Sequence, residues 1–278
     1  MNIKRYPSSE AFLNAVEPFL SKEIHLNNLM LGLLHRLKRE GSNEDDLFLH
    51  IQDGALKLVV MMSGLYVIVY ANATDERLYE TLIDYLDVHH IDYPGVIGPV
   101  FYADAFKAAF EAKTNKPMHT AMKQRIFVIK NVIHDSTLDA SIRVVRAEDN
   151  QLIKQWMKGF LDDIQEAYTP QSIDERIKRL IENQGLYVLV HDDQLVSMAA
   201  GIRPMGEGIS IGYVYTPPQL RNKGYATACV QKLSAHYLKA YDYCTLYTDL
   251  ANPTSNSIYQ KIGYRAVGDS VVYRKPSA

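Results

Sequence analysis

Apolar positions recur near helical spacing at Ile24, Leu26, Leu29, Met30, Leu33, Leu34 and Leu37, and Gly41-Ser42 closes the run. The first forty residues therefore read as helical. The period then changes. Residues 47–51, 56–62 and 65–70 are short apolar runs parted by Asp53-Gly54 and Ser63-Gly64, the pattern of a hairpin meander. Thr74 or Asp75 can cap a helix that runs to Leu86. Residues 94–99, Pro-Gly-Val-Ile-Gly-Pro, read as a rigid turn, because prolines and glycines oppose regular structure. A helix over 103–112 and a strand over 125–132 follow.

The polar, aperiodic stretch 134–139 marks a boundary, dividing the chain into residues 1–135 and 140–278. The second half predicts a strand (142–146), two helices (149–161, 173–183) and three strands (186–190, 195–202, 208–215). Asp192-Asp193 turns between the first two of these. A helix (225–240), a strand (244–250), a helix (255–262) and a strand pair ending at Arg274 complete it. This is the pattern of a mixed α/β sheet with helices on both faces. Both halves run helices, three strands, helix, strand, helix, strand, which suggests an old duplication and two related domains in tandem.

Composition narrows the class. At 278 residues the chain suits two modest domains, and 47% hydrophobic residues supply cores for both. Thirty basic residues against thirty-two acidic ones give a formal charge of −2, with no electrostatic footprint for nucleic acid or an anionic membrane. The most apolar stretch, 56–70, is broken by Ser63-Gly64 and is too short to span a bilayer. No apolar run follows Met1, so no signal peptide is expected. The two cysteines, Cys229 and Cys244, match no zinc or redox spacing, and a reduced, cytoplasmic setting fits them.

The chemistry concentrates in residues 212–227, Gly-Tyr-Val-Tyr-Thr-Pro-Pro-Gln-Leu-Arg-Asn-Lys-Gly-Tyr-Ala-Thr, which read strand, sharp turn, glycine loop, helix. Val230, Leu233, Tyr237 and Ala240 then share one helical face. The loop delivers a helix N-terminus, whose free N–H groups and positive dipole end suit an anion, and Gly224 and Ala226 let a diphosphate approach the backbone. Two rival phosphate loops fail on spacing. A nucleoside-triphosphate loop needs Gly-Lys-Ser/Thr, whereas the order here is Lys223-Gly224-Tyr225; a dinucleotide loop needs three glycines.

Arg221-Asn222-Lys223-Gly224-Tyr225-Ala226 resembles the Gln/Arg-x-x-Gly-x-Gly/Ala signature of the GNAT acetyltransferase superfamily. Residues 252–264, Asn-Pro-Thr-Ser-Asn-Ser-Ile-Tyr-Gln-Lys-Ile-Gly-Tyr, resemble its second signature, with Tyr264 where phenylalanine is usual. The resemblance covers about Ile142 to Lys275. The tail is also similar to the glycine N-acyltransferase branch, and the whole chain to two-domain members whose N-terminal half keeps the fold without the loop. It implies acetyl transfer from acetyl-CoA to a primary amine by direct attack, with no metal.

The resemblance also implies residue roles. The backbone of Val214, Tyr215 and Thr216 would pair with the pantetheine arm, and the Val214 N–H would polarise the thioester carbonyl. Arg221, Asn222, Lys223, Gly224, Tyr225, Ala226 and Thr227 would wrap the pyrophosphate, with the Arg221 and Lys223 side chains also reaching a 3′-phosphate. Asn252 would hydrogen-bond the pantetheine, and Tyr259 would protonate the departing thiolate. For Asn252 the plain alternative is a turn, with Ser255 as the helix cap; for Tyr259, one among 19 tyrosines, it is core packing.

No general base is assigned: Glu207 lies near the start of the strand before the loop, Glu166, Asp162 and Asp163 lie in the helical region, and each reads more readily as a surface charge. His89-His90 are not a metal pair, Trp156 reads as core, and Cys229 reads as buried. The expected partner is a small-molecule or peptide amine; glycine is suggested only by the branch resemblance, and a homodimer stays open. The rival readings are a non-catalytic acyl-CoA sensor on the same fold and a nucleotide-binding protein.

Overall fold

A computed structural model describes residues 1–133 and 138–276, without the side chains of 253–255. The boundary expected at 134–139 and the cap expected of Ser255 lie largely outside the described residues.

The first run of elements is β1 (Asn2–Arg5), α1 (Ser9–Leu20), α2 (Asn28–Glu40), β2 (Leu47–Asp53), β3 (Leu56–Met62), β4 (Val67–Ala71), α3 (Glu76–Val88), β5 (Gly95–Pro99), α4 (Val100–Thr114) and β6 (His119–Ile129). The second is β7 (Ser141–Val144), α5 (Asn150–Asp163), α6 (Pro170–Glu182), β8 (Leu186–His191), β9 (Gln194–Met205), β10 (Gly208–Tyr215), α7 (Tyr225–Tyr237), β11 (Tyr243–Asp249), α8 (Pro253–Ile262) and β12 (Arg265–Arg274). The two runs have the same order of strands and helices, as a duplication would leave them.

Two compact units result. One comprises Met1–Ile126, Thr248–Asn252 and Ala266–Ala278; the other comprises Phe127–Tyr247 and Pro253–Arg265. Strand pairing, rather than chain order, decides membership. β12 goes with the first unit because it lies antiparallel to β5, from Ser270↔Pro99 to Arg274↔Gly95. Ser270 also donates its hydroxyl to Gly98 O, and Arg125 pairs with Asp269 on β12.

Strand alternation builds a core on each face of the first unit's strands. Leu47, Leu49, Leu58, Val60, Val67 and Val69 join α3, α4, Val271 and Tyr273 on one side. Phe48, Val59, Met61, Ile68 and Tyr70 meet α1 and α2 on the other. The second unit repeats the plan. Leu189, Ile209, Ile211 and Leu246 pack with α7 and α8, while Leu186, Val188, Met198 and Ala200 pack with α5 and α6. Trp156 is buried in this last cluster, as expected of a core residue.

Four expectations need correction. Residues 2–5 are a strand, because Ile3↔Ile51 and its neighbours bring them into register with β2, and tertiary pairing overrides local pattern. Residues 94–99 are not a turn: Gly95–Pro99 form β5, parallel to β4 at Val67↔Val96 and Ile68↔Ile97. The prolines sit at its two limits, and its glycines answer to crowding, since a Cβ at Gly95 would collide with Tyr273 O and one at Gly98 with Val69 O. The C-terminal strand pair is the single strand β12. Ala240 lies past the end of α7 and is exposed, so that helix is shorter than its apolar pattern suggested.

Val271 is 1% exposed and packs in the core of the first unit. Val271→Ala is expected to destabilise that unit by about 1–3 kcal/mol. Hydrogen exchange is the check: β2 to β5 should lose protection while α7 keeps its own.

Candidate functional site

Strand β10 pairs with β11 in parallel only from Gly208↔Tyr243 to Ile211↔Leu246. Both strands continue past that point, so they part beyond Ile211 and Leu246. The register with β9 shows why. It passes from Gly212↔Ala200 to Tyr215↔Met198, which leaves one extra residue on β10. Tyr213 absorbs it in the left-handed region at φ 51°. Such a bulge bends and twists its strand. Pro217 then follows Thr216 and has no N–H to extend a ladder. Ser197 on β9 pins the end: its buried hydroxyl donates to Tyr215 O at 2.9 Å and lies 2.9 Å from Thr216 Oγ1. Val214 is half-buried and packs against the α7–α8 core.

The loop after β10 makes a single 3₁₀ turn at Pro218–Leu220 and then reverses. Asn222 takes φ 65° and Gly224 takes φ 81° as the N-cap of α7. No side chain caps this helix, and its internal bonding begins with Ala228 N donating to Gly224 O at 3.0 Å. The amides of the first turn have no acceptor inside their own helix, and left-handed residues beside them gather such groups into an anion-binding concavity. A Cβ at Gly224 would meet nothing within 4 Å. Glycine is thus needed for the backbone angle, and the space outside the loop is open. Lys223 is exposed, Ala226 and Thr227 are half-buried, and Tyr225 is buried with its ring 5.4 Å from that of His191.

The equivalent helix of the first unit, α3, differs at this point. Asp75 caps it, accepting from Arg77 N at 3.1 Å, and Glu76 follows in the first turn. Its Arg77 hydrogen bonds hold the Asp75 carboxyl below its ordinary pKa, so a negative charge occupies the end of α3 that α7 leaves free. Asn72 bridges Lys57 N and Ala55 O just before it.

Arg221 is already engaged. Its Nε donates to Thr216 O at 2.9 Å, its Nη2 pairs with Asp163 at the end of α5, and its guanidinium lies 5.7 Å from the Tyr215 ring. This side chain fastens α5 to the end of β10, a role that sequence reasoning did not give it. Asn252 falls in the segment counted with the first unit and closes a turn, its N–H donating to Asp249 O at 3.0 Å.

Tyr259 on α8 is 8% exposed and shares one core with Tyr225, Cys229 and Val214. Its ring lies 6.3 Å from Phe127 and 6.0 Å from Tyr264. Burial raises its pKa to about 12, and the neighbouring Cys229 adds to the effect. Cys229 is itself buried and pushed up to about 12 by desolvation, which makes it an inert thiol. The hydroxyl that distinguishes Tyr264 from phenylalanine has a partner, Ser234 Oγ at 2.7 Å.

Among the candidate bases, Asp162 bonds Lys158 and Tyr168, which hold its pKa down; Asp163 bonds Arg221; Glu166 bonds Arg176; and Glu207 is exposed. Among the described residues no group of three or more His, Cys, Asp and Glu side chains is placed to hold a metal ion, and no helix is long and apolar enough to cross a membrane.

Sequence reasoning missed Ser197 and Tyr213. Ser197 had a signal, a lone hydroxyl inside the apolar run of β9. A left-handed tyrosine within a strand leaves none.

Residues 187–273 match the family model of FR47-like protein. No curated protein matches the chain. Solved structures do. A GCN5-related N-acetyltransferase from Sphaerobacter thermophilus is 14% identical, covers 100% of this chain and 96% of its own, and superposes with a TM-score of 0.63. A GNAT-family acetyltransferase from Colwellia psychrerythraea is 11% identical over 100% of both chains, with a TM-score of 0.61. A tandem GNAT protein from the clavulanic acid biosynthesis pathway is 10% identical over 100% of both, with a TM-score of 0.57. The fold is therefore that of the GNAT acetyltransferases: a central mixed sheet flanked by helices.

Two predictions follow from these contacts. The side chains of Arg221 and Asp163 are 40% and 47% exposed, so a double-mutant cycle between them should give a coupling of only about 0.2–1 kcal/mol, shrinking with added salt. Tyr259 binds its proton more tightly folded than unfolded. Its contribution is complete below pH about 10 and is lost as pH rises towards 12, a fall of about 2–3 kcal/mol. Denaturant melts from pH 9 to 12 should show a shallower decline for Tyr259→Phe.

Proposed function

We propose that the chain is an acyl-CoA-dependent N-acyltransferase, acetylating a primary amine from acetyl-CoA by direct attack. The observation that carries this reading is the parting of β10 from β11, which leads straight into an uncapped helix N-terminus behind Gly224. Val214, Tyr215 and Thr216 would hold the pantetheine arm, and the backbone from Arg221 to Thr227 the pyrophosphate.

The bound co-substrate supplies an activated thioester. Val214 N–H donates to its carbonyl oxygen as that atom gains charge. Tyr259 keeps its proton throughout the neutral range and hydrogen-bonds the sulfur as it departs. Outright transfer to a thiolate of pKa about 8.5 would run uphill by roughly 3.5 units, so the phenol works mainly as a fixed donor. The first unit, with Asp75 on the corresponding helix end, would bind no coenzyme A. In this reading residues 1–135 and 140–278 are the duplicated halves, the protein works in the cytoplasm without a metal, and the glycine N-acyltransferase branch supplies one class of acceptor.

Acetyl-CoA, and not ATP, should raise the melting temperature, and an amine panel should release free thiol. Tyr259→Phe should lower kcat about 10²–10⁴-fold while the shift with acetyl-CoA persists. Binding without turnover across the panel would favour the sensor reading, and stabilisation by ATP alone would overturn both.

A further inference from the structure

Glycine inside a helix is less stable there than alanine, so a glycine that stays answers to some other demand. Gly159 lies in the interior of α5. A Cβ at this position would collide with Tyr215 Oη and come within 2.7 Å of Tyr215 Cζ. The missing methyl is thus a slot, and the phenol of Tyr215 fills it from the end of β10. The next residue of α5, Phe160, places its ring 5.4 Å from that of Tyr213. Adjacent positions of one helix therefore meet the two tyrosines that flank Val214 in the chain. One turn further along, Asp163 holds Arg221, whose guanidinium donates to Thr216 O and is hydrogen-bonded to the Tyr215 hydroxyl.

The Tyr215 ring has little freedom to give way. It is 8% exposed and shares a buried cluster with Trp156, Met157 and Met198. Its hydroxyl is tied to Arg221, and its carbonyl accepts from Ser197. A methyl group in the slot would have to drive the ring back by about 1 Å to restore ordinary van der Waals contact. Held at its tip and packed along its sides, the ring passes part of that retreat to the backbone of β10. A donor aimed at developing charge tolerates little of it, since a misplacement of about 1 Å costs on the order of 10²-fold in rate.

We propose that Gly159 is a positioning residue for acyl transfer: its slot fixes the Tyr215 ring and, through it, the Val214 amide that donates to the thioester carbonyl. The inference rests on the acyl-transfer reading and gives α5 a part in it. The pyrophosphate loop lies beyond Pro217 and is not touched by the slot, so the chemical step should suffer more than cofactor binding.

The test uses the full chain and the amine of the panel that turns over fastest, with thiol release as the readout. Gly159→Ala should lower kcat about 10–100-fold, while KM for acetyl-CoA and the melting shift it produces stay close to those of the parent. Rescue separates positioning from a general loss of packing. Tyr215→Phe removes Oη, the atom nearest the slot; alone it should not raise kcat, yet it should raise the kcat of Gly159→Ala. If Gly159→Ala fails to fold, Tyr215→Leu, which empties the slot and keeps the cluster apolar, should lower kcat with the melting shift retained. Parental kcat in Gly159→Ala or in Tyr215→Leu, a loss confined to KM, or a loss that Tyr215→Phe does not relieve overturns the assignment of Gly159 alone. Absence of turnover, or of any shift with acetyl-CoA, in the parent protein overturns the acyl-transfer reading and this inference with it.

Discussion

Everything proposed for the second unit depends on β10 being held along one edge and released along the other. An unpaired strand edge is ordinarily a liability, since its amides and carbonyls seek partners. Here three local features keep it open. The extra residue at Tyr213 turns the strand, Pro217 removes the next donor, and Ser197 ties the end back to β9. The Gly224 loop would have nothing to extend if β10 and β11 stayed zipped.

The same logic separates the two units. Each unit has a parallel pair whose register stops early, β4 with β5 after Ile68↔Ile97 and β10 with β11 after Ile211↔Leu246. The difference lies one step later, where one helix begins with a carboxylate cap and the other with a bare glycine. A single residue type at the N-cap decides whether a helix end repels or receives an anion, with no change in fold.

Much of this was legible in the sequence. Helices α5 and α6 follow their periodicity closely because each has one buried face, and strands β8 to β10 follow their apolar runs because turn residues punctuate them. The strand–turn–glycine–helix segment was equally plain. Other features were hidden for physical reasons. β5 looked like a turn because its glycines and prolines obey a crowded neighbour rather than the local chain. β12 gave no sign that it would join residues 1–126, since partner choice between strands distant in sequence is not written in alternation. The Arg221 side chain looked like a phosphate ligand because an arginine beside a glycine loop carries no mark of the aspartate, 58 positions earlier, that holds it.

The placement of β12 bears on how the protein matures. A growing chain folds as its segments emerge. The first unit, however, takes in residues 266 onward. With everything up to Arg265 already made, β5 still has a bare edge, and the pocket meant for Val271 and Tyr273 is unfilled. The segment that begins first thus finishes late, and its apolar edge stays open to stray strands throughout synthesis.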